Sequence, residues 1–154
     1  MCIRDRTKSI QFKLQLVLET VRRTFLYDQQ FHVLCRILND QSQPMNNRVK
    51  QSWLEYVHEL IPSMNSEDFK DTPDTRQTFS KLLSLTIEPK SVEIRKASQR
   101  VVNDLFDLNA AAFSLMLRGV PRNLQDNADR IIKGFMQDTS SSGCLLYTSD
   151  AADE

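Results

Sequence analysis

The chain has little of what tight turns, sheets and disulfide frameworks require. Its 154 residues include three glycines, five prolines and three cysteines. So few glycine and proline residues disfavour the many short strands and turns of an all-β fold. No apolar run approaches the ~20 residues that span a bilayer, and 20 basic residues are balanced by 20 acidic ones. We therefore expect neither a membrane nor nucleic acid as a partner.

The two ends of the chain are expected to be adapter-derived rather than natural. The chain opens with MCIRDR, which back-translates as ATG TGT ATA AGA GAC AG, and the reverse complement of that DNA encodes the CLLYT run at 144–148. Inverted copies of one DNA word resemble translated transposon-type sequencing adapters, and such scars are excluded from fold reasoning. The expected organisation is a scar at 1–6, a partial helical domain at 7–143 and a second scar at 144–154.

Cysteine chemistry, metal binding and catalysis are not expected. Without the two ends only Cys35 remains, and one cysteine supports neither a disulfide framework nor a zinc site. His32 lies one helical turn before Cys35, but zinc needs more ligands and His58 is the only other histidine. Cys35 lies on an apolar stripe, as is typical of a small core residue. No phosphate-binding loop or nucleophile motif is present, so we predict no enzyme, no catalytic residues and no cofactor.

Apolar residues recur at spacings of three and four along most of the chain, which predicts one helix after another. The first helix covers about 9–25, and the second, capped by Asp28, reaches about Asn39. A third is opened by Asn46 and Asn47 and ended by Pro62, a polar acidic loop covers 63–75, and a fourth helix covers about 74–87. The fifth reaches about Leu108, the sixth covers about 110–118 with Gly119 at its end, and the seventh covers about 121–137, followed by a frayed 138–143.

Short turns between helices with wide apolar faces favour antiparallel pairs stacked in a row. A faint internal repeat supports this arrangement. Arg48 precedes Val49, and Ile94 precedes Arg95, just inside two helices that each follow a turn containing Asp or Glu. An ordinary antiparallel bundle is the alternative to a solenoid. Trp53 shares an apolar face with its helical neighbours, which predicts a core anchor.

From about Leu16 to Gln137 the sequence resembles the C-terminal part of a TOG domain from a CLASP (CLIP-associating protein), most like the third such domain. The resemblance is carried by EPKSVEIRKASQRVVNDLFDLN at 88–109, DFKDTPDTR at 68–76 and GVPRNLQD at 119–126. It implies an all-α HEAT-repeat α-solenoid of about seven helices in antiparallel pairs, and it implies binding to the αβ-tubulin heterodimer or microtubule lattice. It also implies catastrophe suppression or rescue at microtubule plus ends, a cytoplasmic location at plus ends, spindle and kinetochore, and plus-end-tracking partners through regions outside this chain.

The resemblance also implies a binding ridge made by the turns that lead into the second helix of each repeat. Carried over, these turns lie at about 40–48, 88–96 and 119–122. Tubulin's surface is strongly acidic, so basic side chains on a rigid ridge would supply complementary potential. Lys90 is the first candidate contact. The other candidates are Lys96, Arg95, Asn47, Arg48, Lys50 and Arg122.

Several of these residues have a purely structural interpretation. Arg48 and Arg95 occupy positions where HEAT arginines often pair with acidic residues of an adjacent turn. Lys50 and Lys96 could belong to a solvated helix face. Two other functions also stay open: a generic HEAT or armadillo adaptor that binds a different protein through the same ridge, and a helical accessory region of an enzyme.

A complete domain of the resembled family has about six repeats, so the resemblance implies that N-terminal repeats are missing from this chain. The missing turns would grip β-tubulin. We therefore expect the chain alone to bind tubulin weakly or not detectably. We also expect the apolar face of the first helix to be exposed and to promote association.

Overall fold

The computed structural model describes residues 3–42 and 44–151, with side chains for 9–42 and 44–138. Every regular element in this part of the chain is helical, which confirms the predicted all-α class. The outermost residues of the predicted scars, 1–2 and 152–154, lie outside the described residues. The helices are α1 (Ile3–Thr24), α2 (Tyr27–Asn39), α3 (Asn47–Leu60), α4 (Pro73–Leu85), α5 (Val92–Leu108), α6 (Ala110–Leu117) and α7 (Arg122–Ala151), with short 3-10 turns at Ile61–Ser63 and Ser66–Asp68.

Most helix starts coincide with capping residues of the sequence. The side-chain oxygens of Asn46, Thr72, Ser91 and Asn109 each accept a hydrogen bond from the main-chain N–H three residues later, at 2.9 to 3.2 Å. Helix α2 differs, because Leu26 stands at its capping position and provides no side-chain oxygen. The prediction that Asp28 caps this helix was wrong, since Asp28 lies inside the first turn.

Helix α7 is longer than the sequence pattern predicts. The apolar periodicity ends near Gln137, but the helical backbone continues through the Ser-rich stretch 138–143 to Ala151. Serine costs a helix only about 0.5 kcal/mol per residue relative to alanine, and no proline follows Pro121 to stop the helix. Polar composition therefore did not end this helix as we expected. Gly119 does follow α6, but without the left-handed backbone typical of a glycine cap.

The helices form antiparallel pairs. Trp53 Nε1 of α3 donates a hydrogen bond to the Leu34 carbonyl of α2 (2.9 Å), and the Tyr56 hydroxyl donates to Gln30 Oε1 (2.5 Å). Later residues of α3 thus face earlier residues of α2. Trp53 is 5% exposed, as expected of a core anchor.

The pairs stack into two layers. Helix α4 lies parallel to α2, because Thr78 bonds to the Cys35 carbonyl and Lys81, one turn later, bonds to the Leu38 carbonyl. In the other layer α5 packs between α3 and α7. One layer contains α2, α4 and α6, and the other contains α3, α5 and α7. Helix α1 is joined to α3 by an ion pair between Arg22 and Glu59 at 2.7 Å. This arrangement confirms the predicted stack of helical pairs of the HEAT type.

A row of packed aromatic rings crosses the α2–α4–α6 layer. One of these rings belongs to the acidic loop that connects α3 to α4. Phe69 of that loop is 1% exposed and lies between Phe31 and Phe79, with ring centroids 6.2 and 6.4 Å away. Phe79 meets Phe113 of α6 edge-to-face at 4.9 Å. The buried Phe69 ring therefore fastens the loop to the core.

Candidate binding ridge

The three turns that the sequence singles out lie along one edge of the molecule. They are the α2–α3 turn (residues 40–42 and 44–46), the α4–α5 turn (86–91) and the α6–α7 turn (118–121). The first two share a groove whose lining includes Met45 and Glu88. The second turn is linked to α7, the helix that follows the third turn, by a 2.7 Å hydrogen bond from Asn127 Nδ2 to Thr86 Oγ1. We call this edge the binding ridge.

The α4–α5 turn and the start of α5 each place one exposed lysine on the ridge. Lys90 and Lys96 are exposed, whereas Arg95 between them is half-buried. The Arg95 guanidinium donates a 2.9 Å hydrogen bond to the main-chain carbonyl of Glu88, and the Lys90 N–H donates to Glu88 Oε1 at 3.3 Å. Arg95 thus holds its own turn closed through a carbonyl, rather than pairing with a carboxylate of an adjacent turn.

The α2–α3 turn places one further exposed cation on the ridge. Asn46 caps α3, and the next two residues, Asn47 and Arg48, are exposed. Within the described part of the chain Arg48 has no ion-pair partner, so the structural interpretation of Arg48 as an arginine paired with an adjacent turn gains no support there. Asp40 shapes the start of the turn by accepting hydrogen bonds from the Ser42 N–H and hydroxyl at 2.9 and 2.7 Å. These bonds lower the pKa of the Asp40 carboxyl.

The α6–α7 turn is followed by a single candidate contact, Arg122, at the start of α7. Arg122 opens α7 with 85% of its side chain exposed, and it contacts Asp126 one turn later at 3.3 Å. Exposed pairs of this kind contribute only about 0.3–0.5 kcal/mol, so the guanidinium can readily leave Asp126 for another acceptor.

An open groove of about 500 Å³ separates the first two turns, and we call it the inter-turn groove. Leu38, Met45 and Leu85 give it an apolar floor, and Lys50 and Lys81 lie along its walls. Lys81 Nζ donates a 3.0 Å hydrogen bond to the Leu38 carbonyl at the end of α2. Sequence reasoning did not select Lys81, because it lies within α4 rather than on a turn.

The opposite edge of the molecule has a different charge. There the loop between α3 and α4 carries Glu67, Asp68 and Asp71. Arg76 donates to both oxygens of Asp71, one of them at 2.7 Å, and these hydrogen bonds lower the pKa of the Asp71 carboxyl. The solenoid therefore has exposed cations at the starts of helices along one edge and an acidic loop at the other.

The N-terminal end of the stack is apolar and open. A groove of about 550 Å³, the apolar end groove, lies between α1, α2 and α3 and is lined mainly by aliphatic and aromatic side chains. Leu18, Val33 and Ile37 in its walls are 44%, 52% and 46% exposed. The apolar stripe of the first helix is thus solvent-exposed, as expected.

No arrangement of residues for metal or thiol chemistry occurs among the described residues. They contain no group of three or more His, Cys, Asp and Glu side chains placed to hold a metal ion. Cys35 is buried, and burial raises the pKa of its thiol to about 11. In the same part of the chain, none of the helices combines the length and apolar character that a bilayer crossing requires.

Comparison with known proteins finds sequence similarity to one group of proteins. It is 37% identical over 138 residues to CLIP-associating protein 1 of Xenopus tropicalis, an alignment that covers 90% of this chain and 10% of the relative. It is 27% identical over 141 residues to the CLIP-associating protein of Drosophila melanogaster, and 27% identical over 138 residues to Protein CLASP-1 of Caenorhabditis elegans, with 90% and 84% of this chain covered. The chain spans about a tenth of the length of these curated relatives. No protein-family model matches the sequence.

Proposed function

The chain is a relative of the CLIP-associating proteins, and from this relationship we propose that it is a tubulin-binding module of a microtubule regulator. The binding ridge is the surface that meets the αβ-tubulin heterodimer or the microtubule lattice. The parent protein suppresses catastrophe or promotes rescue at microtubule plus ends, and it works in the cytoplasm on plus ends, spindle and kinetochore. Regions outside this chain bind plus-end-tracking proteins, as the name of its relatives suggests for CLIP.

The observation that carries the proposal is the alignment of exposed, unpaired cations along one edge. Lys90 of the α4–α5 turn, Lys96 near the start of α5 and Arg48 near the start of α3 are exposed. None of the three has an ion-pair partner in the described part of the chain. A cation that is not neutralised within its own molecule keeps its full attraction for an acidic surface. Arg48 and Lys96 lie on helices, and Lys90 lies on a turn held by two hydrogen bonds, so little backbone freedom remains to be lost on binding.

The other candidate residues take different roles in this proposal. Arg95 stabilises the turn that carries Lys90, because its guanidinium donates a hydrogen bond to the Glu88 carbonyl. Lys50 lines the inter-turn groove. Asn47 contributes a neutral hydrogen-bonding group beside Arg48, and Arg122 extends the ridge at its far end.

A titration of the 15N-labelled chain with purified tubulin tests the proposal, since NMR detects weak binding. We expect signals of the ridge turns to broaden selectively. The double variant Lys90→Glu/Lys96→Glu should weaken the interaction by roughly tenfold or more, because it places carboxylates against an acidic surface.

The double variant Lys70→Glu/Lys133→Glu is the matched control. It introduces the same change in charge at exposed lysines away from the ridge. Equal losses of tubulin affinity in both variants would attribute the effect to net charge rather than to the ridge. If neither double variant loses tubulin affinity, and the NMR signals broaden without selectivity for the ridge, the alternative is favoured. In that alternative the ridge is an adaptor surface for a protein other than tubulin.

A further inference from the structure

We propose that Thr72 is a phosphorylation site for a proline-directed protein kinase, and that the Arg76 guanidinium holds the phosphate once it is attached. This inference goes beyond the proposed function, because it concerns the acidic loop at the edge opposite the binding ridge and involves no tubulin. It gives a role to the DFKDTPDTR stretch at 68–76, which the binding ridge does not use.

The first argument concerns the sequence and backbone around Thr72. Thr72 is the one serine or threonine of the chain that precedes a proline. Proline-directed kinases accept a serine or threonine followed by proline, in a segment of extended backbone. Thr72 has this backbone, with φ −121° and ψ 160°, because the Pro73 ring disfavours the helical region for the residue before it. Both residues are exposed, so the acceptor has the sequence, conformation and exposure that this class of kinase requires.

Exposure separates this site from a second stretch that resembles a kinase substrate. Residues 95–98 read RKAS, with two basic residues before Ser98, as in substrates of kinases that select basic residues. However, Ser98 is 0% exposed, and its hydroxyl donates a 2.9 Å hydrogen bond to the Arg95 carbonyl inside α5. A kinase cannot reach this hydroxyl in the folded chain. Of the two stretches, only the one at Thr72 is presented on the surface.

A kinase needs to open only the first turn of α4 to reach Thr72. The Thr72 side-chain oxygen accepts a hydrogen bond from the Thr75 N–H at 3.1 Å, and the Thr72 carbonyl accepts one from the Arg76 N–H at 2.8 Å. Pro73 has no N–H, so its place at the start of the helix adds no further bond to break. Helix ends are also the first parts of a fold to open. Access to the hydroxyl therefore breaks few hydrogen bonds.

Phosphorylation is a balanced transfer from ATP. Thr72 Oγ1 forms a bond to the γ-phosphorus, the bond from that phosphorus to the oxygen shared with the β-phosphate breaks, ADP leaves, and the hydroxyl proton passes to the kinase's base. The product carries a charge of about −1.5 to −2 at pH 7. Arg76 lies one helical turn after Thr72 and donates to both oxygens of Asp71, the residue just before Thr72. A phosphate attracts a guanidinium more strongly than a carboxylate does, so Arg76 exchanges Asp71 for the phosphate.

A kinase assay on the whole chain tests the site. Incubation with ATP and a purified mitogen-activated or cyclin-dependent kinase should add one phosphate, which mass spectrometry of proteolytic peptides locates at Thr72. Pro73→Ala keeps the Thr72 hydroxyl and a good helix former at the start of α4, and it should lower the phosphorylation rate by roughly tenfold or more, because a specific pocket contact is lost. The matched control is Pro62→Ala, at an exposed proline remote from Thr72 in sequence, which should leave the rate unchanged.

A synthetic peptide of residues 66–78 is the reference substrate. Phosphorylation of the peptide but not of the folded chain would overturn the proposal, because the fold would then withhold Thr72. Absence of phosphate from both substrates would overturn it as well, because the sequence itself would then not be recognised. An equal rate for Pro73→Ala and the parent chain would rule out the proline-directed class.

The role of Arg76 is tested by the melting temperatures of the parent chain and Arg76→Gln, each with and without the phosphate. Arg76→Gln should lower the melting temperature by about 2–4 °C more in the phosphorylated chain than in the unmodified one, because the bonds to phosphate are stronger. Arg130→Gln makes the same change at an exposed position of α7 and should have an equal effect in both forms. Equal effects of Arg76→Gln in both forms would show that Arg76 does not hold the phosphate.

Discussion

Arg95 and Glu88 close the α4–α5 turn through a side chain and a main-chain atom. The guanidinium of Arg95, in the first turn of α5, donates to the Glu88 carbonyl seven residues earlier at 2.9 Å. Lys90 lies between them and is exposed. The half-buried arginine therefore braces the turn, and under the proposed function the exposed lysine contacts the partner, although sequence alone ranks both as candidate contacts.

This division of roles predicts different costs for two neighbouring substitutions. Arg95→Met should lower the free energy of unfolding by about 1 kcal/mol, because it removes a charge-assisted hydrogen bond from a partly buried carbonyl. Lys96→Met, which alters an exposed side chain, should change it by less than about 0.5 kcal/mol. Urea unfolding of both variants measures the difference. Equal stabilities would show that Arg95 does not brace the turn.

The buried thiol of Cys35 should be inert in the folded protein. With a pKa of about 11, only about one thiol in a thousand is ionised at pH 8, against roughly a quarter for an ordinary cysteine. In the variant Cys2→Ser/Cys144→Ser, iodoacetamide should react with Cys35 only after urea unfolds the chain. Labelling as fast in native buffer as in urea would contradict the burial of Cys35.

The apolar end groove should drive self-association of the chain in solution. Leu18 and Ile37 are exposed walls of this groove, and apolar patches of this kind favour association. The variant Leu18→Glu/Ile37→Glu should shift the sedimentation equilibrium towards monomer and keep the helical circular dichroism spectrum.

The control for this prediction is Leu115→Glu/Met136→Glu, which changes two apolar residues that are 50% and 52% exposed elsewhere on the molecule. It adds the same charge outside the apolar end groove. A similar loss of association in this control would attribute the effect to net charge rather than to the groove.

The order of helices could be predicted from the sequence because the signals are local. Periodic apolar residues mark each buried face, and Asn46 and Ser91 cap the helices that follow the ridge turns. The polar end of α7 did not follow the prediction, because serine weakens a helix without breaking it. Val49 shares the apolar face of α3, yet it is 44% exposed because that face borders the open end of the stack.

The inter-turn groove could not be predicted in the same way. Its lining combines Lys50 with Lys81, which are far apart in sequence and border the same groove because α4 packs beside α2. The bond from Arg95 to the Glu88 carbonyl is local, but the sequence does not show that a main-chain carbonyl rather than a carboxylate accepts it. Arg48 has no ion-pair partner in the described part of the chain. Sequence reasoning located the turns, but packing decided which of their side chains remain free.

The pairing of Arg76 with Asp71 should make the stability of the acidic loop depend on pH. The hydrogen bonds from Arg76 hold the pKa of the Asp71 carboxyl below its ordinary value of 3.8. Because the folded state favours the carboxylate, this pair stabilises the fold above the unfolded pKa, and the contribution is lost as pH falls through the folded pKa.

Arg76→Gln should therefore be less stable than the parent chain at pH 7, by a small amount that shrinks below about pH 4. Urea unfolding from pH 7 to pH 3 measures the difference, with Lys70→Gln, an exposed neighbour on the same loop, as the control. A deficit that stays constant down to pH 3 would mean that Arg76 stabilises the loop through its aliphatic stem and not through the charge of Asp71.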